Sequence, residues 1–201
     1  LDDDVIVEAG WLDALDKFFR EKSRLVAQGT IRIHPEDLKD PEIGRLFQRF
    51  RTAHHLEYDR STDNLNSLNG ANMVIRREVF AQVGDFDTRL GPGASGTSDD
   101  VELAQRIRRT GIKIGYMPNA VVYHELDHVR LTDAYFKALH QRKGISRLIY
   151  KDQSTTRIIF DLCRVSAQYG YYALFGGERK KYRSKGRVYH YRAMLQVKLG
   201  R

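Results

Sequence analysis

The sequence predicts an α/β fold followed by a helical, basic extension. Short apolar segments typical of strands alternate with amphipathic segments of helical periodicity over residues 1–130. From residue 131 onward the periodicity is helical only, and most of the excess positive charge lies there. A chain of 201 residues is long enough to bury a core of ordinary size. We therefore predict two parts, residues 1–130 and residues 131–201.

Three consecutive carboxylates, Asp2-Asp3-Asp4, stand before the apolar segment Val5-Ile6-Val7. Adjacent acids repel one another, so a fold that clusters them usually compensates with a cation. Hard oxygen ligands suit Mg²⁺ or Mn²⁺. The pattern indicates a site for a metal and a phosphate group. A solvated acidic turn or a helix N-terminus explains it about equally well.

Two helices and a strand are predicted next. An amphipathic pattern covers residues 9–22, and an alternating apolar pattern typical of a strand covers residues 25–33. Pro41 begins a second helix that continues to Phe50, because proline suits the first turn of a helix. The polar segment 52–69 is rich in Asp and Asn and predicts a mobile active-site loop.

The middle of the chain predicts a turn, a strand and two helices. Residues 70–75 form the turn and the buried strand, and residues 77–83 form a short helix that ends at a glycine. A glycine-rich loop precedes a longer helix at residues 100–110, for which Ser98 or Asp99 is the cap. Two short strands, residues 112–117 and 120–123, flank Pro118-Asn119.

Helices dominate the prediction for the C-terminal part. Residues 131–141 and 156–175 have helical periodicity, and Gly176-Gly177 ends the second of these helices. A basic run interleaved with tyrosine, residues 178–187, precedes a last amphipathic stretch at residues 188–199.

Charge is distributed unevenly along the chain. Residues 1–139 hold 19 Lys and Arg against 23 Asp and Glu, a net charge of −4, whereas residues 140–201 hold 15 against 3, a net charge of +12. This asymmetry predicts an acidic catalytic part and a tail that meets anionic phosphate, lipid or nucleic acid.

Cys163 is the only cysteine, which excludes an intramolecular disulfide and fits a reducing compartment. Its apolar neighbourhood predicts a core position rather than a nucleophile. No apolar run approaches the ~20 residues of a membrane span, and no signal peptide opens the chain. We therefore expect a soluble or peripheral, cytoplasmic polypeptide.

Six short motifs follow one another in an order that identifies a family. They are Asp2-Asp3-Asp4, Gly70-Ala71-Asn72 with Arg76-Arg77 and Phe80, Gly84-Asp85-Phe86-Asp87, Ser98-Asp99-Asp100-Val101-Glu102-Leu103 with Arg106, Gly111 with Pro118, and His124. With these motifs, residues 1–125 resemble the family 2 glycosyltransferases of the GT-A fold. The resemblance implies that residues 1–130 are the acceptor-side part of a GT-A catalytic domain, a mixed sheet with flanking helices.

The resemblance also implies roles for the residues near the acidic motif. Asp4 and His124 would hold a divalent metal, Mn²⁺ or Mg²⁺. Asp2 would lie nearer the ribose of the nucleotide or the water shell of the metal, and Asp3 would belong to the same nucleotide-sugar site. Taken alone, such a histidine is more often an ordinary residue at the end of a strand.

Two further motifs match the acceptor side of that family. The turn Gly70-Ala71-Asn72 would lie beside the donor sugar and the acceptor. Of the acid pair before the long helix, Asp100 would be the catalytic base, and Asp99 would contribute to nucleotide-sugar binding. Taken alone, both carboxylates could simply favour the positive N-terminus of a helix. The adjacent His54 and His55 are not expected to form a metal site, because neighbouring residues in a helix point apart.

The implied activity is the transfer of a sugar, with inversion, from a UDP-, GDP- or dTDP-linked donor to a hydroxyl group. The acceptor would be a saccharide or a lipid-linked molecule of a cell-envelope polysaccharide or glycolipid pathway. The nucleotide-binding half that precedes the acidic motif in this family is not in the sequence. We therefore expect a fragment, or a half completed by another polypeptide, with little transferase activity by itself.

The basic tail leaves two interpretations open. An apolar helical face followed by clustered Lys and Arg suits the anionic inner face of a membrane. A helix packed on the catalytic domain with a solvated basic end fits the pattern equally well. The alternative to an enzyme is a noncatalytic, membrane-docking interaction module with a degenerate transferase core. Nucleic-acid binding is not expected, because the charge is confined to the tail and no nucleic-acid motif is present.

Overall fold

The computed structural model of the protein describes residues 1–200. By their contacts these residues form two compact units that are interleaved along the chain. The first unit comprises residues 1–38, 54–87 and 99–126, and the second comprises residues 39–53, 88–98 and those from 127 onward. The sequence predicts a single boundary at residue 130, whereas two earlier segments belong to the second unit.

Strands and helices alternate in the first unit, and the second unit is helical. The strands are Val5–Val7 (β1), Val26–Ile33 (β2), Met73–Ile75 (β3) and Ile114–His124 (β4). The helices are Trp11–Glu21 (α1), Pro41–Phe50 (α2), Arg77–Val83 (α3), Asp99–Arg109 (α4), Asp133–Tyr150 (α5), Thr155–Phe175 (α6) and Glu178–Lys198 (α7). Short 3₁₀ turns cover Pro35–Leu38, Gly70–Asn72 and His128–Leu131.

The four strands form one sheet in the order β1-β4-β2-β3. Strands β2 and β4 are parallel, and the pairs β1–β4 and β2–β3 are antiparallel, so the sheet is mixed as the sequence predicts. Strand β2 is buried along almost all of its length, including its polar residues Gln28 and Thr30. The acidic motif lies directly before β1.

Strand β4 corrects the prediction of two short strands. Pro118-Asn119 does not end the strand but lies in a bulge, where the pairing with β2 shifts from Gly29↔Met117 to Thr30↔Val121. The Thr30 hydroxyl donates to the Pro118 carbonyl oxygen at 3.1 Å, which satisfies an acceptor that the bulge leaves without a partner in the ladder. The Pro118 carbonyl oxygen therefore has its hydrogen-bond donor within β2.

The main core of the first unit lies between the sheet and helices α3 and α4. It contains fully buried aliphatic residues from each of these elements. Helix α4 contributes Leu103, Ala104 and Ile107 to this core at helical spacing. Its apolar side packs against the core, and its other sides carry the polar residues. The core thereby fixes where the first turn of α4, with its acid pair, is placed.

Helices α5, α6 and α7 form the body of the second unit, and α2 packs against α7. Buried Ile158 and Val165 of α6 pack against Met194 of α7. The ring of Phe50 in α2 lies 5.3 Å from that of Tyr182 in α7, measured between centroids. No helix among residues 1–200 has both the length and the apolar character needed to cross a bilayer.

Three predictions for the C-terminal part are wrong in detail. Helix α5 continues to Tyr150, well beyond residue 141, and the basic run is the first half of α7 rather than a separate segment. Lys and Arg are good helix formers, and the run buries Ser184 and Gly186 toward its neighbours, so helix continues through it. Cys163 is exposed on α6 and is not a core residue.

Candidate active site

Antiparallel pairing of β1 with β4 positions the acidic motif. Val5 lies opposite His124 in the register, and the Glu125 amide donates to the Asp4 carbonyl oxygen at 3.1 Å, one step beyond the ladder. As a result, the carboxylate Oδ1 of Asp4 lies 3.3 Å from Nε2 of His124. Two residues far apart in the sequence are thus adjacent because they share one end of this strand pair.

Asp2, Asp4 and His124 form a group in which each residue offers one ligand atom and all three atoms lie within 4.8 Å of one another. His124 is buried, Asp4 is half-buried and Asp2 is exposed. The group therefore opens toward solvent on the side of Asp2. Two carboxylates and an imidazole match the ligands that divalent cations accept in proteins.

Hydrogen bonding of His124 prepares its other ring nitrogen for a metal. Nδ1 lies 2.8 Å from the Glu125 carbonyl oxygen, which only accepts, so Nδ1 carries the proton in this contact. In the neutral ring the lone pair then belongs to Nε2, which faces Asp4. A backbone carbonyl that fixes the tautomer in this way is the usual support for a metal-binding histidine.

His54 supports this ring from the other side. The two imidazoles stack with their centroids 4.7 Å apart and their planes 18° from parallel. Nδ1 of His54 lies 3.2 Å from the Asn69 side-chain nitrogen. His54 and His55 lie outside the helices, so the argument that neighbouring residues in a helix point apart does not apply to them. His54 stacks on His124 but is not one of the three residues whose ligand atoms cluster.

The carboxylates of the group repel one another. Partial burial raises the pKa of Asp2, and the negative charge of Asp4 raises it further, while His124 opposes the shift. A divalent cation bound between these side chains would relieve that repulsion. The residues present therefore fit a divalent metal on the chemistry of the donor set, the tautomer of His124 and the mutual repulsion of the acids.

The turn at residues 69–72 connects this group to the acid pair. The Gly70 amide donates to Oδ2 of Asp100 at 3.2 Å. A Cβ atom added at Gly70 would lie 3.5 Å from Oδ1 of Asp2, so the backbone of the turn passes close to the acidic motif. Gly70 thus lies between Asp2 and Asp100. The Asn69 side chain accepts from the Ala71 amide at 3.1 Å and stabilises the turn.

Asn72, for which the sequence predicts nucleotide-sugar binding, is fully buried. Its side-chain nitrogen donates to the carbonyl oxygens of Thr30 and Ala120, at 2.9 and 2.8 Å. Its side-chain oxygen accepts from Nε1 of Trp11 at 3.1 Å. The amide therefore joins β2, the bulge of β4 and α1. Any influence of Asn72 on a bound sugar passes through the turn that it holds.

Gln28 also supports the site, and it is not among the residues predicted from the sequence. It is fully buried in β2. Its oxygen accepts from the Asn69 amide at 2.7 Å, and its nitrogen donates to the Asn72 carbonyl oxygen at 2.9 Å. Gln28 thereby binds both ends of the turn. The available signal was a glutamine inside an apolar strand, because a buried polar side chain requires partners.

The remaining predicted residues lie at the start of α4 and beside Asp2. Asp99 and Asp100 are half-buried, and Oδ1 of Asp100 also accepts from the Val101 amide at 2.7 Å. Ser98, just before them, has a φ of 76°, a conformation unfavourable for any residue with a Cβ. Asp3 is exposed. The structure therefore brings together Asp2, Asp4, His124, Gly70 and Asp100 as one connected group.

Arg106 fixes α4 in place. Its Nε donates to both carboxylate oxygens of Glu102, at 2.8 and 2.9 Å, and its Nη2 donates to the Asp85 carbonyl oxygen at 2.8 Å. Nη1 donates to the carbonyl oxygen of Val83, at the end of α3. The arginine of the motif that contains Asp99 and Asp100 therefore has a structural role, because it bonds α4 to the end of α3.

Comparison with known protein families yields a match that covers most of the chain. The model of a family described as "Glycosyltransferase like family 2" matches residues 1–144 of the chain. No curated protein matches the sequence. The matched region contains the whole sheet and every residue of the connected group. The chain therefore belongs to the glycosyltransferase family 2-like proteins, and its α/β part is a glycosyltransferase domain.

Proposed function

We propose that the site transfers a sugar, with inversion and with the help of a divalent metal, from a nucleotide-diphosphate donor to a hydroxyl group. The donor would be a UDP-, GDP- or dTDP-linked sugar, and the acceptor a polysaccharide or a glycolipid. One observation carries this proposal. The ligand atoms of Asp2, Asp4 and His124 converge within 4.8 Å, and the Gly70 turn links them to Asp100.

Asp4 and His124 would hold the metal, through Oδ1 and Nε2. When bound there, Mn²⁺ or Mg²⁺ supplies Lewis-acid stabilisation of the negative charge that develops on the departing diphosphate. Asp2 would lie within reach of the same ion or of the nucleotide, and its exposed neighbour Asp3 would belong to the same nucleotide-sugar site. His54, by stacking, keeps the imidazole of His124 in the orientation that presents Nε2.

Asp100 is the proposed general base. The acceptor oxygen forms a bond to the anomeric carbon as the bond from that carbon to the diphosphate oxygen breaks, and the hydroxyl proton passes to the Asp100 carboxylate. A single displacement of this kind inverts the anomeric centre. The Gly70 and Val101 amides orient the carboxylate, one at each of its oxygens. A positioned base typically contributes ~10²- to 10⁴-fold in rate.

Gly70 and Asp99 are proposed to line the donor sugar. Gly70 brings backbone rather than a side chain next to Asp2, which leaves space beside the acidic motif. Ala71, for which the sequence predicts nucleotide-sugar binding, is fully buried in a core cluster with Ile31 and Val122, so it supports the turn and does not contact the sugar. Asp99 begins α4 next to the proposed base. Asn72 supports the same turn from below through its bonds to β2 and β4.

Binding of Mn²⁺ tests the metal site independently of activity. We would titrate the protein with Mn²⁺ and follow the loss of the free-ion signal by electron paramagnetic resonance, then add UDP, GDP or dTDP and measure heats by calorimetry. Asp4→Asn and His124→Ala should each weaken Mn²⁺ binding by about tenfold or more. A nucleotide diphosphate should bind more tightly when Mn²⁺ is present.

Matched controls are available on the surface. Asp13, exposed on α1, and His128, exposed before α5, lie outside the connected group. Asp13→Asn and His128→Ala should leave Mn²⁺ affinity unchanged. If the two site variants bind Mn²⁺ as tightly as these controls do, the metal site is wrong. If Mn²⁺ binds at the site but no nucleotide follows, a noncatalytic module becomes the better explanation.

A further inference from the structure

Helix α6 has two faces of different character, and only one of them is covered. Ile158 and Val165 on the inner face are fully buried against the other helices of the second unit. The outer face carries four large apolar side chains with high exposure: Phe160 at 60%, Tyr171 at 60%, Leu174 at 78% and Phe175 at 75%. Residues 160 and 171 lie three helical turns apart, and residues 174 and 175 lie about one turn further along. All four residues therefore lie on one side of the helix.

Small residues and two arginines fill the rest of this outer face. Cys163, Ala167 and Gly170 are exposed between the aromatic positions. Arg157 and Arg164 both donate at 2.9 Å to the buried carboxylate of Asp161, to Oδ2 and Oδ1 respectively. One carboxylate thus pairs with two guanidinium groups. The result is an apolar strip with a small excess of positive charge.

Cationic side chains adjoin the C-terminal end of the strip. Helix α7 begins three residues after Phe175 and presents the exposed residues Arg179, Lys180 and Arg183. The Lys180 ammonium group lies 5.8 Å from the centroid of the Tyr172 ring. The connection is tight, because a Cβ atom at Gly176 would lie 2.8 Å from the Cα of Tyr172. Apolar and basic residues are thus held next to each other by the α6–α7 turn.

The charge of this surface discriminates among occupants. A second copy whose α6 packed parallel to the first would bring the two basic α7 starts together, and like charges oppose that arrangement. An antiparallel pair would cover the apolar strip but leave the basic residues of both copies without an anionic partner. Duplex nucleic acid would engage the cations but leave the aromatic strip exposed. An anionic lipid surface satisfies both features, since amphipathic helices with basic flanks lie in the headgroup region with their apolar side in the acyl boundary.

We infer that the outer face of α6 and the first turns of α7 form a docking surface for an anionic lipid bilayer. Phe160, Tyr171, Leu174 and Phe175 would enter the acyl boundary, and Arg179, Lys180 and Arg183 would lie at the headgroups. Helix α6 would lie in the plane of the interface, in keeping with the absence of a spanning helix among residues 1–200. This inference does not rest on the proposed transferase chemistry.

The single cysteine provides the probe. Cys163 is exposed on the outer face, so an environment-sensitive fluorophore attached there reports burial of that face directly. The labelled protein would be mixed with vesicles of phosphatidylcholine and with vesicles of phosphatidylcholine and phosphatidylglycerol in equal parts. We expect a blue shift and an intensity increase with the anionic vesicles only, reduced by added salt.

Two variants and two matched controls separate the apolar and cationic contributions. Leu174→Ser with Phe175→Ser should weaken binding to the anionic vesicles about tenfold or more. Leu12→Ser, which removes an apolar side chain that is 72% exposed on α1, should not. Arg179→Gln, Lys180→Gln and Arg183→Gln together should weaken vesicle binding about tenfold or more. The same change at Lys17, Arg20 and Arg45, all exposed on α1 and α2, should have a much smaller effect.

Several outcomes would overturn the inference. Equal binding to both vesicle types, or equal binding by the Leu174→Ser, Phe175→Ser variant, removes the anionic bilayer as the occupant. Sedimentation that shows a dimer broken by those two substitutions assigns the face to a second copy. Binding to duplex DNA that matches the binding to vesicles, and that survives the two serine substitutions, assigns the basic residues to nucleic acid instead.

Discussion

At the scale of single residues, the site depends on side chains that hold other groups in place. Asn72 and Gln28 are both fully buried, and each bonds to backbone on more than one element. Neither offers a free polar atom to a ligand in these contacts. They support the turn on which Gly70 lies between Asp2 and Asp100. Replacing either leaves buried backbone groups without partners, which costs more than the bonds themselves stabilise.

Asn72→Ala should lower the free energy of unfolding by about 2–4 kcal/mol, because it strands Nε1 of Trp11 and two carbonyl oxygens. Urea denaturation followed by Trp fluorescence measures this, since Trp11 is the only tryptophan. Asn119→Ala, at an exposed residue of the same bulge, is the control and should change stability by less than about 0.5 kcal/mol. Equal effects at the two positions would contradict the structural role of Asn72.

Asp100→Asn separates the proposed base from substrate binding. The new side chain keeps an oxygen that accepts from the Gly70 amide, but it cannot take the proton of the acceptor. Transfer from the donor that proves active should fall ~10²- to 10⁴-fold, while Mn²⁺ and nucleotide affinity stay the same. Initial rates and calorimetry measure the two properties. Retention of full rate by this variant would exclude Asp100 as the base.

At the scale of elements, glycines set how closely α5 and α7 approach. A Cβ atom at Gly144 would lie 2.3 Å from the His190 carbonyl oxygen, and one at Gly186 would lie 2.4 Å from Nε2 of His140. Each helix thus offers a glycine at the point where a histidine of the partner helix crosses it. From the sequence alone, Gly144 and Gly186 are expected only to weaken a helix by their low propensity.

Gly144→Ala should destabilise the protein by about 1–3 kcal/mol, because the added methyl group meets backbone that cannot rotate away. Gly170→Ala, in α6, is the matched control, since nothing lies within 4 Å of the position of its Cβ. That substitution should stabilise the protein by about 0.5–1 kcal/mol through helix propensity. Thermal unfolding of the two variants gives the comparison, and destabilisation by both would contradict it.

At the scale of the whole molecule, stability should depend on pH through two histidines of the second unit. Burial lowers the pKa of His140 from its ordinary 6.5 to about 4, and the charges of Lys143 and His190 add to the effect. Burial likewise lowers the pKa of His190 to about 4, with Arg147, Lys143 and Arg187 contributing. Both imidazoles are therefore neutral in the folded protein at pH 7.

Between pH 6.5 and 4 the unfolded chain binds protons at these histidines and the folded protein does not, so unfolding becomes easier as pH falls through that window. The loss is at most roughly 3 kcal/mol for each histidine and is complete below pH 4. Urea denaturation at pH 7 and pH 5 measures it. His140→Leu should flatten the dependence, and His128→Leu, at an exposed residue, should not. A profile unchanged by the first substitution would exclude His140 as a source.

Much of the local structure, and the family, can be predicted from patterns within short segments of the chain. Proline at the start of α2, the glycine after α3 and the acid pair at the start of α4 act within a few residues, so they predict those helices without knowledge of the fold. The order of the motifs was sufficient to identify a family 2 glycosyltransferase, which the family match confirms. The roles of the site residues remain predictions, and the structure adds the distances between them.

How these segments come together could not be predicted in this way and is known from the fold. The antiparallel register of β1 against β4 brings Asp4 to His124, and Gln28 holds the Gly70 turn beside Asp100. The bulge in β4 and the crossing of α5 with α7 likewise come from pairing between distant segments. Strand register and helix contacts depend on how the whole core is filled, and no pattern within a few residues encodes that.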